Sequence, residues 1–326
     1  MPELEAPDDA IVQIIATGVC GSDLHIYHGR LKIEPGFTIG HEYVGKVVAV
    51  GDAVTRVQVG DRVAGCFQTA CGFCFHCMRA EYHRCLRSRS FGLGKVMGSL
   101  QGTQAEFALV PNANLVLRRV PDGISDDVAL FAGDVMGTGY HGVVESGLRA
   151  GEVAAVLGLG PVGLCAVQVA VLQGARVIAI DSVEQRLELA ASFGATPLNM
   201  AEQDVKSEVR ALTEGRGGVD VAIDAVGHPD ALDMAIRLAR SCGRIQCLGI
   251  YAERGEVHLG LAWLKSLTVR GGQANVIAHL DQVLEMLARG QLDPSPLVTS
   301  HMPLDDAAEA YAIFDRREAL KIVLTP

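Results

Sequence analysis

Residues 158–163 read Gly-Leu-Gly-Pro-Val-Gly, and their setting restricts the fold more than any other stretch of the chain. The apolar run Val153–Leu157 leads into them, a helical segment follows, and a second apolar run, Arg176–Ile180, ends beside Asp181. Glycines at this spacing between a strand and a helix let backbone amides close on a pyrophosphate, whose charge the helix N-terminus favours. Gly158, Gly160 and Gly163 are therefore candidate contacts to a dinucleotide. Asp181, about twenty residues further on, suits the adenosine ribose hydroxyls and would repel a 2′-phosphate, which points to NAD(H) over NADP. Arg186 reads as a solvated helix residue.

The same alternation continues. Val219–Asp224 and Arg244–Leu248 look like further buried strands, Ser266–Arg270 like the last one, and Val183–Ser192 and Ala231–Arg240 like the helices between. This is the pattern of βαβ units in a doubly wound parallel sheet, an α/β architecture. Before Gly151 the style is β-rich. Ala10–Ala16 and Val44–Val50 are short Ile/Val runs, and residues 60–63 and 105–110 continue in kind. After the nucleotide segment, His279–Ala288 is an amphipathic helix stopped by Gly290. The expected organisation is a dinucleotide-binding domain, 135–271, inserted in a β-rich domain, 1–134 and 272–326, that bears a cysteine lobe at 66–90.

Within that lobe Cys71, Cys74, Cys77 and Cys85 are separated by two, two and seven intervening residues in a polar loop. Four thiolates so close in sequence can surround one tetrahedral zinc and leave no position open, as a structural site requires. A second constellation is dispersed: Gly18-Val19-Cys20-Gly21-Ser22-Asp23-Leu24-His25, then Gly40-His41-Glu42. Alone, Cys20 or His41 would pass for a core residue. Together, beside carboxylates and a hydroxyl, they suit a catalytic zinc, which needs a third protein ligand and one open position.

Composition removes other classes. A formal net charge of −10 leaves no basic face for nucleic acid or an anionic membrane surface. The charge-free run from Val153 to Leu172 has the length of a membrane span, but Gly158, Gly160, Pro161 and Gly163 would break a single helix. Met1–Asp9 carries four acidic residues and no apolar core, so the nine cysteines are expected in a reducing, cytoplasmic setting.

At these residues the sequence resembles the medium-chain zinc-dependent alcohol dehydrogenase family. The octapeptide at 18–25, Gly-His-Glu at 40–42, the four-cysteine lobe, and the glycine motif with Asp181 fall in the family's order along nearly the whole chain. The resemblance implies a GroES-like catalytic domain beside a Rossmann domain, two zinc ions and NAD(H). It supplies the third catalytic ligand as Asp134, just before Thr138-Gly139-Tyr140, completing Cys20, His41 and Asp134. Glu42 becomes a neighbouring carboxylate able to approach the metal. Ser22 and His25 match proton-relay positions, and Asp23 matches the carboxylate orienting the zinc-bound histidine. Phe67 matches a substrate-pocket wall, Thr138 and Val162 match residues beside the nicotinamide, and Lys321 a basic contact to the pyrophosphate.

The aspartate ligand with Gly-Tyr-His after it looks most like the branch related to bacterial formaldehyde dehydrogenases. The family also carries roughly two dozen residues ahead of the stretch matching Pro2–Asp9, so an edge near the site is expected to be uncovered. The expected activity is hydride transfer between a small alcohol, or its aldehyde or ketone, and NAD(H), in a homodimer or homotetramer. Aldehyde oxidation or dismutation is the alternative. A non-catalytic redox sensor is a more distant one, since it would need a broken zinc site or relay, and a zinc-free quinone reductase has no use for these ligands.

Overall fold

Short β-branched runs interrupted by glycine crowd a helix and pair instead as strands. The N-terminal part forms β1 (Ala10–Gly18), β2 (Tyr43–Val50), β3 (Arg62–Gly65), β4 (Phe107–Val110) and β5 (Leu117–Arg119). Then come β6 (Val153–Leu157), β7 (Arg176–Asp181), β8 (Thr196–Asn199), β9 (Val219–Asp224), β10 (Ala239–Cys247) and β11 (Thr268–Gly271). Strands β12 (Val298–Pro303) and β13 (Lys321–Thr325) close the chain. The computed structural model describes residues 1–252 and 254–326. It divides into two compact units, residues 1–137 with 275–326, and residues 138–274.

In the first unit the sheet runs β12-β13-β1-β2-β3-β5, with β4 also on β1. β1 and β2 are antiparallel from Ala10 opposite Val50 to Thr17 opposite Tyr43, with two register shifts on the way. Bulges of this kind increase local twist and re-aim the residues that follow. The tail strand β13 lies on the other side of β1, with Gly18 opposite Val323, so it begins beside the segment that carries Cys20. Its four apolar or aliphatic-stemmed residues, Lys321 to Leu324, are all buried. Neither this strand nor β5 and β12 stands out in the sequence, because each is short and takes its partner from far along the chain.

The second unit is an all-parallel sheet in the order β11-β10-β9-β6-β7-β8. The chain winds outward from the centre, first one way and then the other, so the direction of winding switches between β6 and β9. Ligands bind at such switch points, outside the carboxyl ends of the strands. Leu157 lies opposite Ile180 on one side and Asp224 on the other, which brings the Gly158 turn to that point. Val153–Leu172 is a strand, a turn and the helix Pro161–Leu172, and among the described residues no helix is long and apolar enough to cross a membrane. β8 escapes sequence reading because Pro197 interrupts it, which an edge position tolerates. β10 begins at Ala239, ahead of the expected Arg244, because the neighbouring β9 already pairs Val219 with Ala239.

Candidate active site and cofactor site

All nine cysteines are free thiols, and four of them converge in the lobe of the first unit. Cys74 Sγ lies 3.5 Å from Cys77 Sγ and 3.9 Å from Cys85 Sγ, and Cys71 Sγ is 3.9 Å from Cys77 Sγ. Thiolates about 2.3 Å from one tetrahedral zinc are separated by edges of about 3.8 Å. The four sulfurs thus already stand at coordination spacing. Backbone amides of Cys71 and Arg87 donate to Cys85 Sγ at 3.2 and 3.3 Å. The amides of Cys77 and Leu86 favour the Cys74 thiolate, which is pulled down to about 6. His76 Nδ1 pairs with Glu81 at 2.8 Å at the half-exposed edge of the lobe, and it takes no part in the cluster.

The second cluster forms where three turns of the first unit meet. Cys20 follows the end of β1, and His41 and Glu42 precede β2. Asp134 follows the tight turn Phe131–Gly133, which presses against β3 so closely that a Cβ on Gly133 would lie 1.9 Å from the Gly65 carbonyl oxygen. That approach fixes where Asp134 emerges. Cys20 Sγ lies 3.5 Å and His41 Nε2 3.2 Å from Asp134 Oδ2. A tetrahedral zinc would separate such sulfur–oxygen and nitrogen–oxygen pairs by about 3.6 and about 3.4 Å. Donor atoms of Cys20, His41, Glu42 and Asp134 all lie within 4.8 Å of one another.

The electrostatics of this group favour a cation. Burial pushes the Cys20 thiol up, and the Asp134 charge beside it pushes further. Burial also works against a charged His41, but Asp23 and Asp134 outweigh it and hold the imidazole well above the ordinary histidine range. Asp134 is drawn below the usual carboxylate range, His41 more than offsetting its burial. A divalent metal would replace the proton on His41 and relieve the repulsion between Cys20 and Asp134.

The neighbours fall into place around it. Asp23 Oδ1 is 3.3 Å from His41 Nδ1, and its Oδ2 accepts the Cys20 amide at 3.0 Å, so one carboxylate orients two ligands. Ser22 Oγ is 3.3 Å from His41 Nε2, on the metal side of the ring. The Phe67 ring meets the His41 ring edge-on, centroids 6.4 Å apart. His25 stands one helical turn beyond, on Asp23–Tyr27, with its Nδ1 buried and unbonded; burial, then Arg30 and His28, push its pKa down.

One implied contact is corrected. Lys321 does not offer its charge to a pyrophosphate. Its Nζ is buried and bonded to both Glu42 oxygens, at 2.6 and 2.7 Å, and to the Val19 carbonyl at 3.1 Å. An ammonium has three donors, and all three are spent. The register of β13 on β1 decides this, and no sequence spacing between residues 42 and 321 could have signalled it.

In the second unit Gly158 adopts φ +84°, a conformation that suits glycine. A Cβ on Gly163 would lie 1.9 Å from the Gly158 carbonyl oxygen, whereas one on Gly160 would meet nothing within 4 Å. Two glycines pack the turn, and the third leaves room in front of the helix N-terminus. Val162 is half-buried in the first turn of that helix, and Thr138 is likewise half-buried in the helix Val135–Glu145. Asp181 Oδ2 accepts the Leu159 amide at 2.6 Å, and Oδ1 accepts the Ser182 and Val183 amides at 2.7 and 3.0 Å. A carboxylate has about four acceptor sites, so one remains for a ribose hydroxyl. Arg186 departs from expectation: it is not solvated but folds back, its guanidinium 3.8 Å from Asp181.

A buried Cys/His/Asp cluster and a phosphate-ready glycine turn on a parallel sheet define a zinc-binding dehydrogenase. Comparison with known proteins agrees. Residues 6–122 match the alcohol dehydrogenase GroES-like domain and residues 161–289 the zinc-binding dehydrogenase domain. The structure is similar to the alcohol dehydrogenase TADH from Thermus sp. ATN1, 42% identical, with a TM-score of 0.95 over 99% of this chain and 94% of that one. It is similar to a structure described as a zinc-binding dehydrogenase from Sinorhizobium meliloti 1021 bound to NADP, 29% identical, TM-score 0.88, covering 100% and 94%. It also resembles an alcohol dehydrogenase of E. coli CFT073 complexed with NADH, 28% identical, TM-score 0.88, covering 100% and 94%. The chain belongs to the medium-chain zinc-type alcohol dehydrogenase family.

Because each of the two clusters suits one ion, the purified protein is expected to hold two zinc ions per chain. Cys20 and His41 must shed protons to ligate, so affinity at their site should fall as pH drops from about 8 to about 5. Elemental analysis after dialysis against chelator at several pH values reads this. Full activity with one zinc or none would refute the assignment.

Proposed function

We propose that the protein is an NAD(H)-linked alcohol dehydrogenase that oxidises a small alcohol, or reduces the matching aldehyde or ketone, at the Cys20–His41–Asp134 centre. The observation that carries the reading is the set of three donors at tetrahedral spacing with Ser22 Oγ on their metal side. Zinc held there supplies Lewis acidity, which lowers the pKa of a bound alcohol hydroxyl, and NAD supplies the hydride acceptor. Ser22 takes the hydroxyl proton, and His25, kept neutral by its lowered pKa, receives it on the way to solvent. Asp23 holds the His41 ring in place, and Phe67 forms an apolar wall. Gly158, Gly160 and Gly163 cradle the pyrophosphate, and Asp181 takes the adenosine ribose.

The relatives named above include two alcohol dehydrogenases, and nothing in them or in the site favours the narrower formaldehyde dehydrogenase branch; alcohols are the proposed substrate class. One neighbour holds NADH and another NADP, so relatives do not decide the cofactor. Asp181 favours NAD, but the nearby Arg186 softens its repulsion of a 2′-phosphate. The protein is further proposed to self-associate. β11 is an edge strand exposed along its length, and the adjacent helix Leu259–Leu264 leaves Trp263 82% exposed, a combination that invites pairing with a second copy.

Asp134→Ala should cut kcat for alcohol oxidation by about a thousandfold or more, the loss of several kcal/mol of Lewis-acid stabilisation, while NADH binding survives. A wild-type kcat at saturating alcohol would remove Asp134 from the centre. The kcat/KM for NAD should exceed that for NADP by about tenfold, ~1.4 kcal/mol, and Asp181→Gly should invert the ratio by freeing Arg186 for the phosphate. Equal use of both cofactors by the wild type would overturn the ribose assignment. Light scattering should give a dimer or larger, reduced by Trp263→Glu with Val269→Lys; an unchanged mass would exclude that edge as the interface.

A further inference from the structure

The nucleotide-binding unit has a second concavity, at the other end of its sheet. It measures about 340 Å³ and lies against the helix Val205–Leu212, the glycines just before β9, and the end of the helix Pro229–Leu238. The glycine turn follows the carboxyl end of β6, whereas this cavity borders the amino end of β9, so the two sites share no residue.

Four cations line it, Lys206, Arg210, Arg237 and Lys265, and no acidic residue does. The chain has 38 acidic and 28 basic residues, so a concavity with only cations runs against its composition. The arrangement also carries a cost. Lys206 and Arg210 stand four residues apart on one helix face, where like charges repel, and Lys206 lies in the first turn, where the helix dipole disfavours a cation. Burial and then the fields of Arg210 and Arg237 push the Lys265 ammonium down, as expected for positive charge without a counter-ion.

The four cations are not equally available. Lys265 caps the helix end, donating to the carbonyls of Ile236, Arg237 and Ala239 at 3.0, 2.9 and 2.7 Å. Arg237 binds Asp233 through Nε alone at 2.6 Å, which leaves its terminal nitrogens. Lys206 and Arg210 are exposed, and their side chains have no protein partner among the described residues. Guanidinium forks match phosphate oxygens in pairs, and a lysine adds a point charge. The half-buried Leu261, backed by the buried Val209 and Leu238, gives the rest of the cavity an apolar wall.

We propose that this cavity binds a small organic phosphate, its phosphate groups held by Lys206, Arg210 and Arg237 and its carbon skeleton laid against the apolar wall. The volume suits a metabolite rather than a polymer. A ligand there would bridge the helix Val205–Leu212 to the helix Pro229–Leu238, both packed on the sheet that presents Asp181 and the glycine turn. This gives the enzyme a second input, separate from its cofactor.

The test is calorimetric titration of the full-length, zinc-loaded protein with fructose 1,6-bisphosphate and, separately, inorganic phosphate. Saturating NADH is kept present so that the cofactor's own pyrophosphate site is filled. One bisphosphate per chain is expected, bound at least about tenfold more tightly than inorganic phosphate. Lys206→Ala with Arg210→Ala should weaken it by at least about tenfold at an unchanged Tm, because both side chains are exposed. If the double variant proves unstable, Arg210→Ala alone gives the same reading. No binding of either probe, or undiminished binding by the variant, overturns the site. Equal affinity for the two probes overturns the part assigned to the apolar wall.

Discussion

The first unit is held to its function by one buried ion pair. Glu42 and Lys321 are 0% and 1% exposed and lie 279 residues apart in the chain. Burial would neutralise Lys321, but the Glu42 charge outweighs it and holds the ammonium above the ordinary lysine range. Removing one partner of such a pair strands the other charge in a dry interior, typically at about 3–5 kcal/mol. The pair fastens the last strand to the residue after His41. It also keeps Glu42 occupied, which leaves Cys20, His41 and Asp134 as the candidate ligands.

Around that fixed point the metal centre is assembled from parts that cannot relax independently. The Gly133 turn lies too close to β3 for any side chain, and Asp23 grips the Cys20 amide and the His41 ring together. Cys20 and Asp134 repel each other when ionised, and His41 keeps a proton that only a competing cation would displace. Preorganisation here means donors at coordination spacing, with an imidazolium that balances two carboxylates and a Cys20 thiol whose ionisation burial and Asp134 oppose until a metal arrives. The cysteine lobe reaches the same end differently, with four sulfurs and backbone amides that stabilise thiolate.

The second unit shows how sheet polarity divides labour. At the carboxyl ends of the strands, the Gly158 turn and the Asp181 carboxylate meet at the switch point. Asp181 serves the turn before it serves any ligand, since three backbone amides already bind it, and Arg186 adds a cation at its flank. On the proposed reading, cofactor choice would rest on this pair of residues rather than on one carboxylate. Near the amino end of β9, one cavity is lined by four basic side chains and by no acidic one.

Much of this was legible in the chain itself. Apolar runs alternating with helical segments specify a parallel doubly wound sheet, because only crossover helices can cover both faces of such strands. The glycine turn and the four-cysteine lobe are local, with spacing that carries their geometry: Gly163 must be small because it packs on Gly158, five residues away. Cys20 and His41 were readable for a similar reason, each within a short run of turn and polar residues. Asp134 needed a family resemblance, since its position depends on a turn pressed against β3 rather than on its neighbours in sequence. Lys321 and Arg186 were misread from sequence. Their charges are settled by partners that folding brings within reach, Glu42 through strand pairing and Asp181 through the turn of the chain into the next helix. Local steric demands and hydrophobic period are written residue by residue; the partner of a long, flexible charged side chain is decided only when tertiary packing sets what lies within a hydrogen bond of its tip.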